Sequence, residues 1–187
     1  MSIATTVSVP VRILIADDQP HVGEALRLAL RDEGFHIELA GSPSAVLTAV
    51  AADKFDLALL DMNYARDTTS GREGIELIEQ LRVMDSDMAI VVMTAWGSVE
   101  IAVEALQRGA GDFIQKPWDN AALRRVLHTQ LALGRARRVA RKQSRQDERE
   151  WAEAKEIQKG MLPRMLPELA GFDLAAAYRP ARELAGD

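Results

Sequence analysis

Five short apolar runs alternate with five segments of helical period over the first 133 residues, and this alternation limits the folds open to the chain more than any other feature. The runs are residues 11–18 (VRILIADD), 35–40 (FHIELA), 56–61 (DLALLD), 88–95 (MAIVVMTA) and 112–117 (DFIQKP). Most are continuous and rich in β-branched residues, as strands buried on both faces should be. Between them Val22, Ala25, Leu26, Ala29 and Leu30 recur at the spacing of one helix face. Ala45, Val46, Ala49 and Val50 do the same, as do Ile101, Ala102, Ala105 and Leu106, and then Leu123, Val126, Leu127 and Leu131. Ser42-Pro43 and Asp119 suit helix starts, while Gly34 and Gly109 suit helix ends.

Repeated strand and helix alternation predicts right-handed crossovers and a parallel sheet covered on both faces. With five units the expected architecture is α/β, a flavodoxin-like doubly wound five-stranded parallel sheet of order 2-1-3-4-5, followed by a C-terminal helical extension. Ligands of such sheets sit at the carboxyl ends of the strands.

A chain of 187 residues accommodates one such domain over residues 11–133, preceded by a flexible tail at 1–10, and leaves a remainder to explain. The absence of cysteine excludes disulfides, thiolate metal sites and cysteine nucleophiles, and no apolar run is long enough to span a membrane. A cytoplasmic location is the expectation. Charge divides the chain: residues 1–133 carry 11 Lys/Arg against 19 Asp/Glu, and residues 134–160 carry 9 against 5. An acidic first domain argues against nucleic acid as its partner. Residues 135–150 (RARRVARKQSRQDERE) are helix-competent but have no core face, so 134–160 reads as a helical linker able to form a coiled coil. Beyond it Pro163 and Pro167 break the helix, and residues 174–178 read as a short strand. His21, His36 and His128 are scattered, and no zinc site is assigned.

The polar residues at the expected strand ends form a constellation. Strand 1 ends in Asp17-Asp18, strand 3 in Asp61, strand 4 in Thr94 and strand 5 in Lys116-Pro117. Three close carboxylates repel, and such a group persists when a cation shares the site. All-oxygen ligands select a hard ion, Mg2+ or Mn2+, of the kind that keeps phosphate oxygens in its shell. An Asp carboxylate can itself attack phosphorus and form an aspartyl phosphate, with Lys, metal and a hydroxyl neutralising the incoming charge. Asp61, at the end of the central strand, is the candidate nucleophile. Taken singly, Asp17 or Asp18 could simply cap a helix, Thr94 could be an ordinary strand residue and Lys116 a solvated cation. Their joint placement carries the inference.

Asp17-Asp18, the LLD that ends in Asp61, the MTA containing Thr94 and the Lys116-Pro117 pair occur in order, and together they resemble the receiver domain of two-component response regulators over residues 11–133. The stretch MTAWGSVEIAVEALQRGAGDFIQKPW is similar to receivers of the nitrogen-regulator class. The resemblance implies that Asp61 is phosphorylated by a histidine kinase or phosphotransfer protein. It implies that Asp18, Asp61 and the backbone carbonyl of Asn63 hold Mg2+ with help from Asp17. It further implies that Lys116 pairs with the phosphoryl group, that its peptide bond to Pro117 is cis, and that Thr94 moves inward while Phe113 changes rotamer. A homodimer through the fourth-helix and fifth-helix face or through the linker is a further expectation. Residues 63–74 (NYARDTTSGREG) depart from the Met-Pro-Gly type of turn that receivers carry after the phosphorylated Asp; Arg66 and Arg72 are expected to be solvated there.

The last part of the chain, residues 154–187, is similar to the opening of PPM-type metal-dependent serine/threonine phosphatase domains, with Asp187 in the place of a first metal-binding Asp. Residues 161–187 are therefore expected to be the truncated start of an output domain. The chain itself is expected to be a stoichiometric phosphoryl acceptor, not an enzyme, whose phosphorylation switches a phosphatase. The alternative is a regulated binding adaptor with a non-catalytic phosphatase-like output. A haloacid-dehalogenase phosphatase would need Asp-x-Asp after its first strand, and a nucleotide-binding enzyme a glycine-rich phosphate loop; neither is present.

Overall fold

The computed structural model describes residues 10–64, 71–95 and 99–161, with side chains through 158. Its strands are β1 (Arg12–Ala16), β2 (His36–Ala40), β3 (Leu57–Asp61), β4 (Ala89–Thr94) and β5 (Asp112–Gln115). Its helices are α1 (Pro20–Ala29), α2 (Pro43–Ala52), α3 (Arg72–Met84), α4 (Val99–Gln107) and α5 (Asn120–Met161). All strand pairs are parallel, in the order β2-β1-β3-β4-β5. The doubly wound sheet expected from the alternation is the fold of the chain.

Strand alternation divides the core in two. Leu14, Ala16, Ala58, Leu60, Ile90 and Val92 face the layer that contains Val46 of α2, Leu77, Ile78 and Leu81 of α3 and Ala105 of α4. Ile13, Ile15, Leu57, Leu59, Val91 and Met93 face Leu26 of α1 and Leu123, Leu127 and Leu131 of α5. β3 and β4 are buried along their whole length, which explains their unbroken apolar sequence. α2 starts where Ser42 accepts a hydrogen bond from the Ala45 N–H, with Pro43 in the first turn. At α5 the Asp119 carboxylate accepts the Ala122 N–H.

α3 begins inside the segment expected to be a polar loop. Its start uses Gly71, at φ 65°, in place of a side-chain cap, and Ile75, Leu77, Ile78 and Leu81 form its buried face. Arg72 thus belongs to a helix and has an interaction partner. Arg66 lies outside the described residues. Gly74 lets α3 approach the strand-end loop, since a Cβ there would stand 3.0 Å from the Met62 Cα.

Contacts divide the chain into two compact units, Met1–Arg138 and Val139–Asp187. The first unit ends four residues beyond the charge shift at Gly134, because Arg138 belongs to the core structure. Its guanidinium donates to Asp56 at 3.0 Å, to the Phe55 carbonyl at 2.7 Å and to Asp85 at 3.3 Å. This corrects, at Arg138, the expectation that residues 135–150 have no face toward the core. Arg82 is likewise employed, donating to the carbonyls of Gly109, Met88 and Ser86. In the second unit the described residues are helical and mostly exposed, including Trp151 and Ile157. Pairs four apart, Gln143 with Asp147 and Gln146 with Glu150, support that helix. The short strand expected at 174–178 and the output-domain start lie outside the described residues, as does all but the last residue of the tail at 1–10.

Candidate phosphoryl-acceptor site

Asp17, Asp18 and Asp61 converge because β1 and β3 are adjacent and parallel, so their carboxyl ends share one edge of the sheet. One ligand oxygen from each of the three lies within 4.8 Å of the other two. β5 lies two strands from β3, yet Lys116 reaches across: its Nζ is 2.8 Å from Asp17 Oδ2 and 3.1 Å from Asp61 Oδ2. The backbone holds the lysine in turn, its N–H donating to the Thr94 carbonyl at 2.8 Å. The Lys116–Pro117 peptide bond is cis.

The three carboxylates are not equivalent. Asp17 has no exposed side-chain surface, and both of its oxygens are engaged, Oδ1 by the Gln19 N–H at 2.9 Å and Oδ2 by Lys116. Asp18 keeps a buried Oδ1 with no partner, as does the side-chain oxygen of Asn63. A buried carboxylate oxygen without a donor is costly unless a cation occupies the space beside it. Asp18, Asn63 and Asp61 thus fit a divalent ion of oxygen preference, with Asp17 already committed to Lys116.

Asp61 is buried, and burial is the strongest influence on its carboxyl, raising the pKa above the ordinary aspartate value. Lys116 opposes that rise by charge and hydrogen bond, Asp17 adds to it, and the Asn63 N–H opposes it. A carboxylate held with an elevated proton affinity is one that a cation or an electrophile would stabilise.

Asp18, Gln19, Asp61, Asn63, Tyr64, Ala95 and Lys116 line a cleft of about 320 Å3 over these groups. Ala95 presents only a methyl group, so the wall beside β4 leaves room for an incoming group. Thr94 is 3% exposed at the end of β4. Phe113, 41% exposed, pairs in register with Val92, so alternation puts it on the same sheet face as Thr94. The sites expected from sequence are therefore assembled at one edge, with Phe113 further along β5.

Tyr64 is the site residue that sequence reasoning passed over. Its place in the unusual stretch after Asp61 was a signal, but its burial was not legible there. Burial first, then the charges of Asp61, Asp17, Asp18 and Glu73, hold its phenol protonated far above the ordinary tyrosine range.

Among the described residues no helix is long and apolar enough to cross a membrane.

The family model for the response regulator receiver domain matches residues 13–128. The chain is 38% identical over 124 residues to the response regulator MprA of Mycolicibacterium vanbaalenii, covering 66% of this chain and 50% of that protein. It is 33% identical over 120 residues to the alginate biosynthesis transcriptional regulatory protein AlgB of Pseudomonas syringae pv. tomato, covering 64% of this chain and 26% of AlgB. The chain thus spans between a quarter and a half of the length of these relatives. Among solved structures, a CheY-like receiver domain from Methanospirillum hungatei superimposes with a TM-score of 0.63 at 27% identity, covering 69% of this chain and 99% of that one. NtrX from Brucella abortus gives 0.64 at 26% identity over 72% of this chain and 29% of that one. A parallel 2-1-3-4-5 sheet, an acidic cluster with a bridging lysine at its carboxyl edge and a family match over most of the first unit lead to one conclusion: the chain belongs to the response regulator receiver domain family.

Proposed function

We propose that Asp61 accepts a phosphoryl group from a histidine kinase or phosphotransfer protein and that the modified domain switches an attached output. The observation that carries this is the Lys116 ammonium bridging the buried Asp17 and Asp61 of an acidic triad whose third member, Asp18, is half-buried. Asp61 would attack phosphorus in line, forming an O–P bond as the N–P bond of the donor phosphohistidine breaks; the electron pair leaves with the imidazole, which takes a proton. Lys116 would shift from a carboxylate oxygen of Asp61 to a phosphoryl oxygen, and Asp17 would keep it oriented. Asp18, Asp61 and the carbonyl of Asn63 would hold Mg2+, which supplies charge neutralisation for the phosphoryl oxygens. Thr94 would donate its hydroxyl to the phosphoryl group, and Phe113 would respond on the same sheet face.

Labelling with acetyl phosphate and Mg2+ tests this. Wild type should take up about one phosphoryl group, released by hydroxylamine, and Asp61→Asn none; label that resists hydroxylamine or persists in the variant refutes the assignment.

The relatives' names include a transcriptional regulator, but the matched part of AlgB is a quarter of its length. For the output of this chain, the resemblance of residues 154–187 to the opening of PPM-type phosphatases supports a serine/threonine phosphatase activity under receiver control. Hydrolysis of a phosphoserine peptide by the full regulator, changed by phosphorylation of Asp61, is the test. Phosphorylation-dependent partner capture without hydrolysis would favour the adaptor alternative. Val99, Val103 and Leu106 of α4 and Phe113 of β5 are exposed and support a homodimer contact on the α4-β5-α5 face; light scattering before and after phosphorylation tests it.

A further inference from the structure

Tyr64 is 3% exposed, and its hydroxyl has no hydrogen-bond partner. The ring belongs to the core layer that also holds Leu60, Met62, Ile75 and Leu77. Phenylalanine would fill that space equally well and spare the protein a buried polar atom without a partner, which is normally destabilising. The hydroxyl therefore needs an explanation that the resting structure lacks.

Its position suggests one. Tyr64 lines the same cleft as Asp61 and Lys116, three residues beyond the phosphoryl acceptor. The charged neighbours Asp17, Asp18 and Asp61 are acceptors, and the one ammonium among the described residues lining the cleft is already divided between Asp17 and Asp61. A phosphoryl group on Asp61 brings three strong acceptor oxygens into a space that is short of uncommitted donors among the described residues. An O–H donor held in the wall and uncommitted beforehand meets that need without breaking any existing bond.

We propose that the Tyr64 hydroxyl donates a hydrogen bond to the phosphoryl group carried by Asp61, so that an unsatisfied atom of the resting protein becomes a ligand of the activated one. The inference rests on Asp61 being the phosphoryl acceptor. It makes Tyr64 a phosphoryl-binding residue alongside Thr94 and Lys116. Because its ring belongs to the core layer shared with α3, it would also connect the phosphorylated site to that helix.

The test uses beryllofluoride with Mg2+ as the phosphoryl mimic, read by 19F NMR of the bound species, together with thermal melting of the free proteins. Tyr64→Phe keeps the ring and removes only the oxygen. It should melt at the same temperature as wild type or higher when free, yet need about tenfold more beryllofluoride for half-saturation, the equivalent of one charge-assisted hydrogen bond. These opposite signs separate the proposal from a packing role, which would lower the melting temperature and leave beryllofluoride binding unchanged. Unchanged half-saturation in Tyr64→Phe overturns the inference while leaving Asp61 in place. A bound resonance that persists in Asp61→Asn, or is absent from wild type, overturns the phosphoryl-acceptor reading and the Tyr64 inference with it.

Discussion

Neutralising the Asp61 carboxylate should stabilise the resting protein, although it would remove the proposed phosphoryl acceptor. Asp61→Asn keeps the shape of the side chain and removes one charge. The attraction lost is that between Asp61 and Lys116 at 3.1 Å, about 5 kcal/mol at an effective dielectric constant of about 20. Neutralisation relieves the burial of the charge, the strongest influence on this carboxyl, and also repulsion from Asp17 and Asp18, each with an oxygen within 4.8 Å, at about 3.5 kcal/mol apiece. Lys116 is not stranded, because Asp17 remains 2.8 Å away. Solvent at the mouth of the cleft screens both effects, which leaves a net gain of about 1 to 2 kcal/mol, or roughly 5 °C in melting temperature. The gain should depend on pH with a defined sign. Asp61 has its pKa raised in the folded state, so the native wild type binds a proton more readily than the unfolded chain. Wild-type stability therefore rises as pH falls through that elevated value, and the gap to the variant closes on the acid side. Saturating Mg2+ should reverse the gap, since the ion binds the native site with all three carboxylates better. Urea titrations of both proteins at neutral and acidic pH, with Mg2+ and with EDTA, measure all of this. A variant less stable than wild type at neutral pH in EDTA, or a gap that ignores pH, would refute the electrostatic account.

Removing the cation instead should have the opposite effect: Lys116→Gln leaves two buried carboxylates facing each other and should cost about 3 kcal/mol in urea unfolding, part of it recovered in the double variant with Asp61→Asn. Thr94→Val should still bind beryllofluoride but lose most of the amide shift changes in α4 and β5 on binding; full-sized shifts in an NMR titration would remove Thr94 from the switch. Arg82→Met strips donors from three backbone carbonyls around the start of β4 and should cost about 2 to 3 kcal/mol in the same urea assay. Arg138→Met, at a side chain that is about one third exposed, should cost nearer 1 kcal/mol and raise hydrogen exchange in the α5 turn that contains it.

The sheet was legible because β1, β3 and β4 are buried on both faces and so write themselves as unbroken apolar runs. The grouping of Asp17, Asp18, Asp61 and Lys116 was legible because a parallel sheet forces the residues after those runs onto one edge. What escaped was local structure governed by distant contacts. α3 begins within a stretch of polar residues because Gly71 supplies a left-handed backbone there, and its buried face starts only at Ile75. Arg82 and Arg138 look like solvated charges in a linear reading; their partners, at Gly109, Asp56 and Asp85, come from other turns and helix ends. Gly134 reads as a boundary from charge, yet α5 runs through it, and a Cβ there would stand 3.3 Å from the Asp87 carbonyl. That glycine fits a close helix-to-sheet approach. Tyr64 could be flagged only as unusual, since its burial depends on α3.

The attachment of Arg138 to Asp56 and Asp85 has a practical bearing on hybrid regulators. β3 is five residues long, with Asp61 at its carboxyl end and Asp56 just before its start, so the proposed phosphoryl acceptor and the fastening of α5 occupy opposite ends of one strand. A graft that exchanges outputs at the compositional break, after Leu133, would discard the arginine and leave Asp56 and Asp85 without their shared cation. A splice after Arg138 keeps the fastening with the sheet that it secures. Two chimeras of the same parents, differing only by these five residues, should then differ in how well the receiver folds, and the later junction is the one to build on.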